Sequence, residues 1–249
     1  MTFRLLTYNI LKGGTGRAQL IANVINSVAP DLVLVQEATD PATLEKICEL
    51  TQMAEWRTYQ QQSLGFLSRQ PVLHKQWLSP RGSRHAFLEV VPHGNHVRVF
   101  GVHLSAVLAA WTERMREAEL RSLLKSVEEH KSGFHVLTGD FNTVAPGEEF
   151  KVGKLPMRLR PLMWITGNRV RWRTIQTVID AGYTDSFRKL HPSEPGMTLP
   201  TIAPLLRLDY VFVPNAQAGR VKKCEVINTP EAVGASDHFP VVADFSLDD

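Results

Sequence analysis

Six short runs of this chain carry polar side chains that can bind a metal ion, hold a phosphate or move a proton. Each run adjoins an apolar stretch typical of a strand, so its polar groups are expected at the tips of buried strands. A polar group in that position is costly unless it is paired or bound to a metal. The six runs are Tyr8-Asn9-Ile10, Val35-Gln36-Glu37, Val102-His103-Leu104, Gly139-Asp140-Phe141-Asn142, Arg207-Leu208-Asp209-Tyr210-Val211 and Ser236-Asp237-His238-Phe239-Pro240. Six such runs in one chain predict a catalytic site.

The carboxylates of Glu37 and Asp237 are the predicted metal ligands. Carboxylate and amide oxygens are hard donors that suit Mg²⁺ or Mn²⁺, whereas zinc more often takes histidine or cysteine. The side chain of Asn9 can add a neutral oxygen to the metal or hold Glu37 in place. Taken alone, an acid at a strand end is more often a helix N-cap or a surface residue. The prediction of a metal site therefore depends on all six runs together.

Asp140 and Asn142 are two residues apart after an apolar strand. On an extended segment they would face the same way. An acid beside an amide could accept a proton from a water molecule and orient that water. The alternative interpretation is an Asx-type turn that follows the strand.

His238 can donate a proton or a hydrogen bond to a phosphoryl oxygen. A histidine with this role needs its second ring nitrogen held by a carboxylate or a carbonyl. Asp209 is the predicted partner, although it could instead pair with Arg207 at the strand edge. His103 is the second candidate imidazole. The alternative interpretation is that His103 has only a structural role inside its strand.

The composition is that of a globular protein, because 43% of the residues are hydrophobic and 21% are charged. No break in composition marks a linker, so we expect residues 1–249 to form a single domain. We also expect the protein to be a monomer. No apolar run approaches the ~18–20 residues that span a bilayer, and residues 3–8 suggest a strand rather than a signal peptide. The two cysteines, Cys48 and Cys224, show no metal-binding or disulfide spacing, which predicts a reducing, cytoplasmic location.

The order of strand, loop, helix and buried strand occurs twice along the chain. The first set ends at Glu37 and the second ends about a hundred residues later at Asp140. Open α/β sheets place their functional sites at strand ends. The two sets are therefore expected to bring two carboxylates to a common site.

A basic segment covers residues 151–173, which contain seven basic residues and no acidic one. The seven are Lys151, Lys154, Arg158, Arg160, Arg169, Arg171 and Arg173. The chain holds 28 basic residues in all, so 21 basic and 25 acidic residues leave −4 for the remainder. This asymmetry predicts a polyanionic partner, and a solvated loop with incidental charge is the alternative.

The six runs overlap the blocks TYNI, VQE, HL, GDFN, RLDYVFV and SDHFPV, which occur in this order between residues 7 and 241. In this order they resemble the endonuclease/exonuclease/phosphatase superfamily, which includes pancreatic deoxyribonuclease, exonuclease-III-type abasic endonucleases, neutral sphingomyelinases and inositol polyphosphate 5-phosphatases. Each block is weak alone, but six in order are highly specific. The resemblance implies an α/β fold of the α+β kind. In this four-layer sandwich, two mostly antiparallel mixed sheets pack face to face with helices on both outer faces.

The resemblance also implies Mg²⁺-dependent hydrolysis of a phosphoester P–O bond, with Mn²⁺ as the other candidate ion. Glu37 would bind the metal, with Asn9 and Asp237 close by. Asp140 would activate or orient the attacking water, and Asn142 would hold that water and the phosphate.

The two histidines have roles in the same resemblance. His238 would stabilise the pentacovalent transition state, with Asp209 orienting it, and His103 would bind phosphate or protonate the leaving group. The deoxyribonuclease branch fixes its first histidine with a glutamate, whereas residues 61–69 here offer glutamine in the matching stretch. Leu11 also replaces the second polar residue of the abasic endonucleases' N-x-N motif, so abasic-site repair is not expected.

The substrate prediction depends on the basic segment. Arg169, Arg171 and Arg173 are predicted to bind phosphates, and Trp164 to stack on unpaired bases, which favours a nuclease acting on DNA or RNA. Residues 159–165 are apolar with basic flanks and could instead make peripheral contact with a membrane, as in a phospholipid, inositol-phosphate or other small phosphoester hydrolase. A simpler alternative is that they pack on the sheet. An inactive binding homologue is disfavoured because every expected polar position is filled.

Overall fold

The structure is a computed structural model that describes residues 1–59, 62–79, 85–94, 97–106, 110–130, 133–148 and 172–248. Of the four predicted substrate-binding residues, Arg173 lies within these ranges. Trp164, Arg169 and Arg171 lie outside the described residues, as does the apolar stretch 159–165.

Strands and helices alternate along much of the described chain. The strands are β1 (Thr2–Asn9), β2 (Leu32–Gln36), β3 (Glu55–Thr58), β4 (Leu64–Ser68), β5 (Val72–Leu78), β6 (Phe87–Pro92), β7 (Arg98–His103), β8 (His135–Asp140), β9 (Tyr183–Asp185), β10 (Asp209–Pro214), β11 (Val221–Val226) and β12 (Val241–Ser246). The helices are α1 (Ala18–Val28), α2 (Pro41–Thr51), α3 (Ala110–Val127), α4 (Arg173–Asp180), α5 (Ser186–Leu190) and α6 (Pro230–Ala235).

The strands form two six-stranded mixed sheets, in the orders β11-β12-β1-β2-β4-β3 and β5-β6-β7-β8-β10-β9. Each sheet contains one parallel pair, β1 with β2 and β7 with β8, and its other pairs are antiparallel. A parallel pair requires a crossover connection, which α1 and α3 provide. The predicted duplication of strand, helix and strand is therefore present, with one copy in each sheet.

Local sequence signals explain where the helices of the first crossover region begin and end. Asp40 accepts hydrogen bonds from the backbone of Ala42 and Thr43, and Pro41 occupies the first helical position of α2. α1 ends at Val28, and the next residue, Ala29, adopts a left-handed conformation immediately before Pro30.

The hydrophobic core has three layers, as the predicted sandwich requires. The central layer joins the two sheets through alternate residues such as Leu5 of β1 and Val136 of β8. A second layer packs α1, α2 and α6 on the outer face of the first sheet, and a third packs α3 and α4 on the outer face of the second. Two sheets between two helical layers confirm the predicted four-layer fold.

The alternation of the central layer determines where the polar strand tips point. Leu5 faces the central layer, so Asn9 at the end of the same strand faces inward as well. Val136 and Asp140 have the same relation in β8, and Val211 and Asp209 in β10. The polar residues therefore continue the central core at one end of the sandwich.

Gly139 immediately precedes Asp140 and has a φ of 138°. A Cβ atom at this position would overlap the carbonyl oxygen of Val102 on the neighbouring strand β7. Glycine is therefore required for β7 and β8 to pair this closely next to the polar strand tips.

We expect Gly139→Ala to lower the free energy of unfolding by about 3 kcal/mol, because the added methyl group separates β7 from β8. Urea unfolding measures the change. Gly219→Ala is the matched control, since a Cβ at Gly219 meets no atom within 4 Å. Equal stability of the two variants would show that the close approach of the strands is not required.

Candidate active site

Three polar residues lie side by side at one end of the second sheet. His103 of β7 pairs with Asp140 of β8, and Asp140 pairs with Asp209 of β10. Asp140 and Asp209 are only 1% and 2% exposed. Like charges on directly opposite strand residues repel each other, and burial adds to the cost. These two carboxylates therefore require a compensating positive charge.

His238, in the loop before β12, can supply that charge. Its Nδ1 lies 2.8 Å from Oδ2 of Asp209, and its Nε2 lies 3.9 Å from Oδ2 of Asp140. Burial alone would lower the pKa of His238, but Asp209 and then Asp140 outweigh burial and raise it to about 10. Burial, reinforced by Asp209, raises the pKa of Asp140 to about 7. The predicted contact between His238 and Asp209 is present.

The loop that carries His238 is held by hydrogen bonds to two other parts of the chain. The hydroxyl group of Ser236 donates to the backbone carbonyl of Asn9 at 2.6 Å. The backbone N–H of Thr201 donates to the carbonyl of Asp237 at 2.9 Å. These bonds help to fix the imidazole because the two residues that precede it are anchored.

The end of the first sheet places Asn9 and Glu37 beside the same cluster. Nδ2 of Asn9 donates to Oδ2 of Asp140 at 3.1 Å, and Oδ1 of Asn9 accepts from the backbone N–H of Leu11 at 3.0 Å. Glu37 follows β2 with a φ of 56°, and its Oε2 accepts from the backbone N–H of Lys12 at 2.6 Å. Both side chains are thus fixed by backbone N–H groups of the loop that follows β1.

Asn142 lies in a turn rather than on an extended segment. Its φ is 50°, and its backbone N–H donates to Oδ1 of Asp140 at 2.8 Å. Its side-chain amide donates to the carbonyl of Leu104 at 2.9 Å. The expectation that Asp140 and Asn142 face the same way on extended backbone was wrong, because the strand ends at Asp140 and an Asx turn follows. The turn still keeps Asn142 next to Asp140.

His103 has a hydroxyl partner that the sequence analysis did not identify. Its Nδ1 lies 2.9 Å from Oγ of Ser63, and its Nε2 lies 3.9 Å from Oδ2 of Asp140. Burial lowers the pKa of His103 to about 4, so the ring is neutral at pH 7. Ser63 lies within residues 61–69, and only the packing of β4 against β7 distinguishes it from its neighbours.

The family model described as the Endonuclease/Exonuclease/phosphatase family matches residues 6–238. The chain belongs to this family. It is therefore a member of the nuclease- and phosphatase-like phosphoesterases. Its six motif blocks bring the predicted residues to one end of the family's sandwich. In a comparison with curated proteins, no match was found.

Solved structures of the same fold match nearly the whole chain. The 3′ phosphatase NExo from Neisseria bound to a product DNA hairpin has a TM-score of 0.75 and 20% identity, with 98% of this chain and 99% of that chain covered. An AP endonuclease from Archaeoglobus fulgidus has a TM-score of 0.73 and 18% identity over 98% and 99%. The 3′-5′ exonuclease NExo from Neisseria meningitidis has a TM-score of 0.72 and 22% identity over 98% and 100%. These similarities show a shared fold.

The donor set fits a divalent cation of the kind the family uses. Four carboxylates, those of Glu37, Asp140, Asp209 and Asp237, lie at this end of the sandwich with one cationic imidazole, so the cluster carries excess negative charge. Within the described residues, Oδ1 of Asp209 is buried without a hydrogen-bond partner. Oxygen donors and excess negative charge suit Mg²⁺ or Mn²⁺.

One compact group of potential ligand atoms differs from the predicted metal ligands. Asp140, Asp209 and His238 each offer an atom within 4.8 Å of the others, among the residues that the structure describes. Because its Nδ1 is held by Asp209 and its ring is protonated, His238 is a poor ligand in this arrangement. Glu37, with Asn9 and Asp237, therefore remains the predicted metal site.

Direct contacts join five predicted residues around Asp140. Asn9, Asn142, His103, Asp209 and His238 are linked to it or to each other by the hydrogen bonds and close approaches given above. Glu37 is near enough to act electrostatically on His103, and Asp237 on His238. Ser63 and Ser236 are further contributors, because each fixes a predicted residue through its hydroxyl group.

The alternative partner of Asp209 is excluded by the position of Arg207. That guanidinium group is buried and pairs with Glu148 at 2.5 Å and Asp185 at 2.7 Å. The guanidinium carbon also lies 4.4 Å from the centroid of the Tyr210 ring. Arg207 therefore stabilises the adjoining loop, and Asp209 remains available to His238.

The low pKa of His103 predicts a loss of stability in acid. The unfolded histidine takes up its proton near pH 6.5 and the folded one near pH 4, so folding is progressively penalised as the pH falls between these values. In metal-free buffer, the wild type should lose about 2 kcal/mol more stability than His103→Asn between pH 7 and pH 5.

Urea unfolding at the two pH values tests this expectation. His93→Asn, which replaces an exposed histidine, is the control and should follow the wild type. An equal loss of stability in wild type and His103→Asn would contradict a neutral, buried His103.

Proposed function

We propose that the protein is a Mg²⁺- or Mn²⁺-dependent phosphodiesterase that cleaves nucleic acid by attack of water on phosphorus. The proposal rests on one observation, which is that three nitrogen atoms from three side chains lie around Oδ2 of Asp140. The amide of Asn9 lies 3.1 Å from that oxygen, and the Nε2 atoms of His103 and His238 each lie 3.9 Å from it. A carboxylate among three potential donors suits a site that binds water and phosphate together.

Asp140 is the proposed proton acceptor. Its pKa near 7 is suited to a general base at neutral pH, because the group can accept a proton and release it again. The attacking water would transfer one proton to Asp140 as its oxygen bonds to phosphorus and the P–O bond to the leaving oxygen breaks. Asn142, held by the turn after β8, would orient the water and the phosphate.

His238 is the proposed stabiliser of the transition state. Asp209 holds its Nδ1, so the ring presents Nε2 to the space beside Asp140. A cationic donor fixed in a buried site stabilises negative charge that develops on phosphoryl oxygens. His103, as a neutral donor, would bind a second phosphoryl oxygen.

Glu37, with Asn9 and Asp237, would hold the divalent cation. When bound, the cation would act as a Lewis acid on the phosphate. The chain's own contribution is to fix Glu37 through the N–H of Lys12 and to offset the carboxylates with His238.

The proposed substrate is DNA or RNA, and abasic-site repair remains disfavoured because Leu11 is apolar. Solved structures of this fold include a 3′ phosphatase bound to a DNA hairpin, an AP endonuclease and a 3′-5′ exonuclease. The basic segment supplies the second argument, with Arg173 exposed at the start of α4 and the predicted Arg169, Arg171 and Trp164 before it.

The described residues that flank the basic segment are tied to the site. On one side, Glu148 accepts from Nε of Arg207 at 2.7 Å. On the other side, the N–H of Thr174 donates to Glu113 at 2.8 Å, and Glu113 also accepts from Thr143 at 3.3 Å. Thr143 immediately follows Asn142, so the chain enters and leaves the segment close to the proposed catalytic loop.

Hydrolysis of a phospholipid, an inositol phosphate or another small phosphoester is the second candidate function. It rests on the apolar stretch 159–165 with its basic flanks, and peripheral membrane contact belongs to this candidate. No described helix combines the length and hydrophobicity needed to cross a membrane. Cys48 and Cys224 are buried and free, which supports the proposed cytoplasmic location.

We expect Asp140→Asn to lower kcat on a single-stranded oligonucleotide at least ~100-fold in Mg²⁺, because the proton acceptor is lost. Glu37→Gln should raise the Mg²⁺ concentration needed for half-maximal activity. Single-turnover assays over a Mg²⁺ and Mn²⁺ series measure both effects.

Asp180→Asn and Glu45→Gln are the matched controls, because both acids are exposed and lie on outer helices. Unchanged turnover by Asp140→Asn would contradict the proposed role. A wild-type protein that cleaves no phosphodiester with either ion would contradict the proposed function as a whole.

The basic segment should determine the salt dependence of binding. Replacing Arg169, Arg171 and Arg173 together by alanine should weaken binding to single-stranded DNA and reduce the slope of log K against log salt by about 2. Fluorescence anisotropy over a NaCl series measures the slope.

The control replaces three exposed basic residues elsewhere, Lys46, Arg57 and Lys222, and should leave the slope unchanged. Binding to anionic liposomes that is lost in the triple-arginine variant, without any salt-dependent binding to DNA or RNA, would favour the lipid hydrolase.

A further inference from the structure

The turn that carries Asn142 depends on its neighbours for support, because Asn142 has a φ of 50°. Left-handed backbone is uncommon for residues other than glycine, although asparagine tolerates it better than most. The hydrogen bonds from Asn142 to Asp140 and Leu104, described above, fix the residue itself. The residues on either side of it, Phe141 and Thr143, both contact the start of β10.

Phe141, which precedes Asn142, is held by its backbone and by its ring. Its backbone N–H donates to the carbonyl of Leu208 at 2.9 Å. Its ring meets the ring of Tyr210 edge-on, with 5.6 Å between the centroids and 80° between the planes. Edge-to-face contact is a favoured arrangement of aromatic rings. The Tyr210 ring therefore fixes the side chain immediately before Asn142.

Thr143, which follows Asn142, is held by the hydroxyl group of the same tyrosine. This hydroxyl group lies 2.9 Å from the backbone carbonyl oxygen of Thr143 and 2.8 Å from that of Arg207, and it donates its proton to these two acceptors. Tyr210 is only 1% exposed, and burial raises its pKa well above the ordinary value. The hydroxyl group therefore keeps its proton and remains a donor.

The second carbonyl on this hydroxyl group belongs to a part of the chain that is already anchored. The guanidinium group of Arg207 forms the ion pairs with Glu148 and Asp185 given above. The hydroxyl group of Tyr210 thus connects the turn around Asn142 to a loop that buried ion pairs hold in place. Tyr210 contacts the residues on both sides of Asn142, one through its ring and the other through its hydroxyl group.

We propose that Tyr210 is a positioning residue for Asn142. The proposal rests on the phosphodiesterase function proposed above, in which Asn142 orients the attacking water and the phosphate. Without the hydroxyl group, the carbonyl of Thr143 loses this donor, and the turn can shift relative to Asp140. A shift of about 1 Å in a group that orients a reactant can lower the rate on the order of 100-fold.

Tyr210→Phe tests the hydroxyl group alone, because the ring and its contact with Phe141 remain. We expect this variant to lower kcat on a single-stranded oligonucleotide about 10-fold, since Asn142 is displaced but still present. In an Asn142→Ala background, the same substitution should lower kcat less than about twofold, because the residue that it positions is already absent. Single-turnover assays of the wild type, the two single variants and the double variant measure this coupling.

Tyr183→Phe is the matched control. Tyr183 is also a buried tyrosine of the second sheet, and its hydroxyl group lies 2.7 Å from Nε2 of His135, which has no proposed role in the reaction. The control should keep kcat within about twofold of its parent in both backgrounds.

The position of the Asn142 backbone amide signal in a nitrogen-15 NMR spectrum of the metal-free protein is a second readout, which does not depend on turnover. Tyr210→Phe should shift this signal, whereas Tyr183→Phe should leave it in place. An unchanged Asn142 signal in Tyr210→Phe would contradict the proposed positioning.

Equal losses of kcat from Tyr210→Phe in the two backgrounds would overturn the proposal, because the hydroxyl group would then act on the fold in general. Wild-type kcat in Tyr210→Phe would also overturn it. If Tyr210→Phe does not fold, Phe141→Leu removes the ring contact instead and should show the same dependence on Asn142, and equal losses there would overturn the proposal. All these kinetic outcomes require an active wild type, so they are distinguishable from failure of the proposed function, in which the wild type cleaves no phosphodiester.

Discussion

The burial of two carboxylates on neighbouring strands is the constraint on which the site depends. Asp140 and Asp209 are directly paired across β8 and β10 at one end of the core. Such a pair is unfavourable without a cation. His238 satisfies it from the loop that leads into β12 of the other sheet, contacting Asp209 at 2.8 Å and approaching Asp140 at 3.9 Å. The two sheets are therefore joined through charge as well as through hydrophobic packing.

The sandwich topology creates this arrangement from simple local rules. Alternation of side chains along each strand places an apolar residue inward at every second position, and the last such position before the loop is polar. The parallel pairs β1–β2 and β7–β8 both end at this edge, and Gly139 allows β7 and β8 to approach closely. Ser236 then connects the His238 loop to the carbonyl of Asn9 at the end of β1.

Sequence reasoning identified the motifs, the four-layer fold and the partner of His238, because those features depend on strand period and on residue types at strand ends. It failed where the backbone leaves the strand, as at Asn142, whose turn cannot be deduced from a period of two. It also missed Ser63 as the partner of His103. This contact joins two different sheets, so the packing of one sheet against the other determines it and local patterns do not.

The protonation states of the imidazoles test the central claim most directly. Nitrogen-15 NMR of the metal-free protein would distinguish the charged from the neutral rings. The account predicts that His238 remains protonated on both nitrogens at pH 8, and that Asp209→Asn lowers its pKa. A His238 ring that is neutral at pH 8 in the wild type would show that the buried carboxylates are not compensated in this way and would contradict the account.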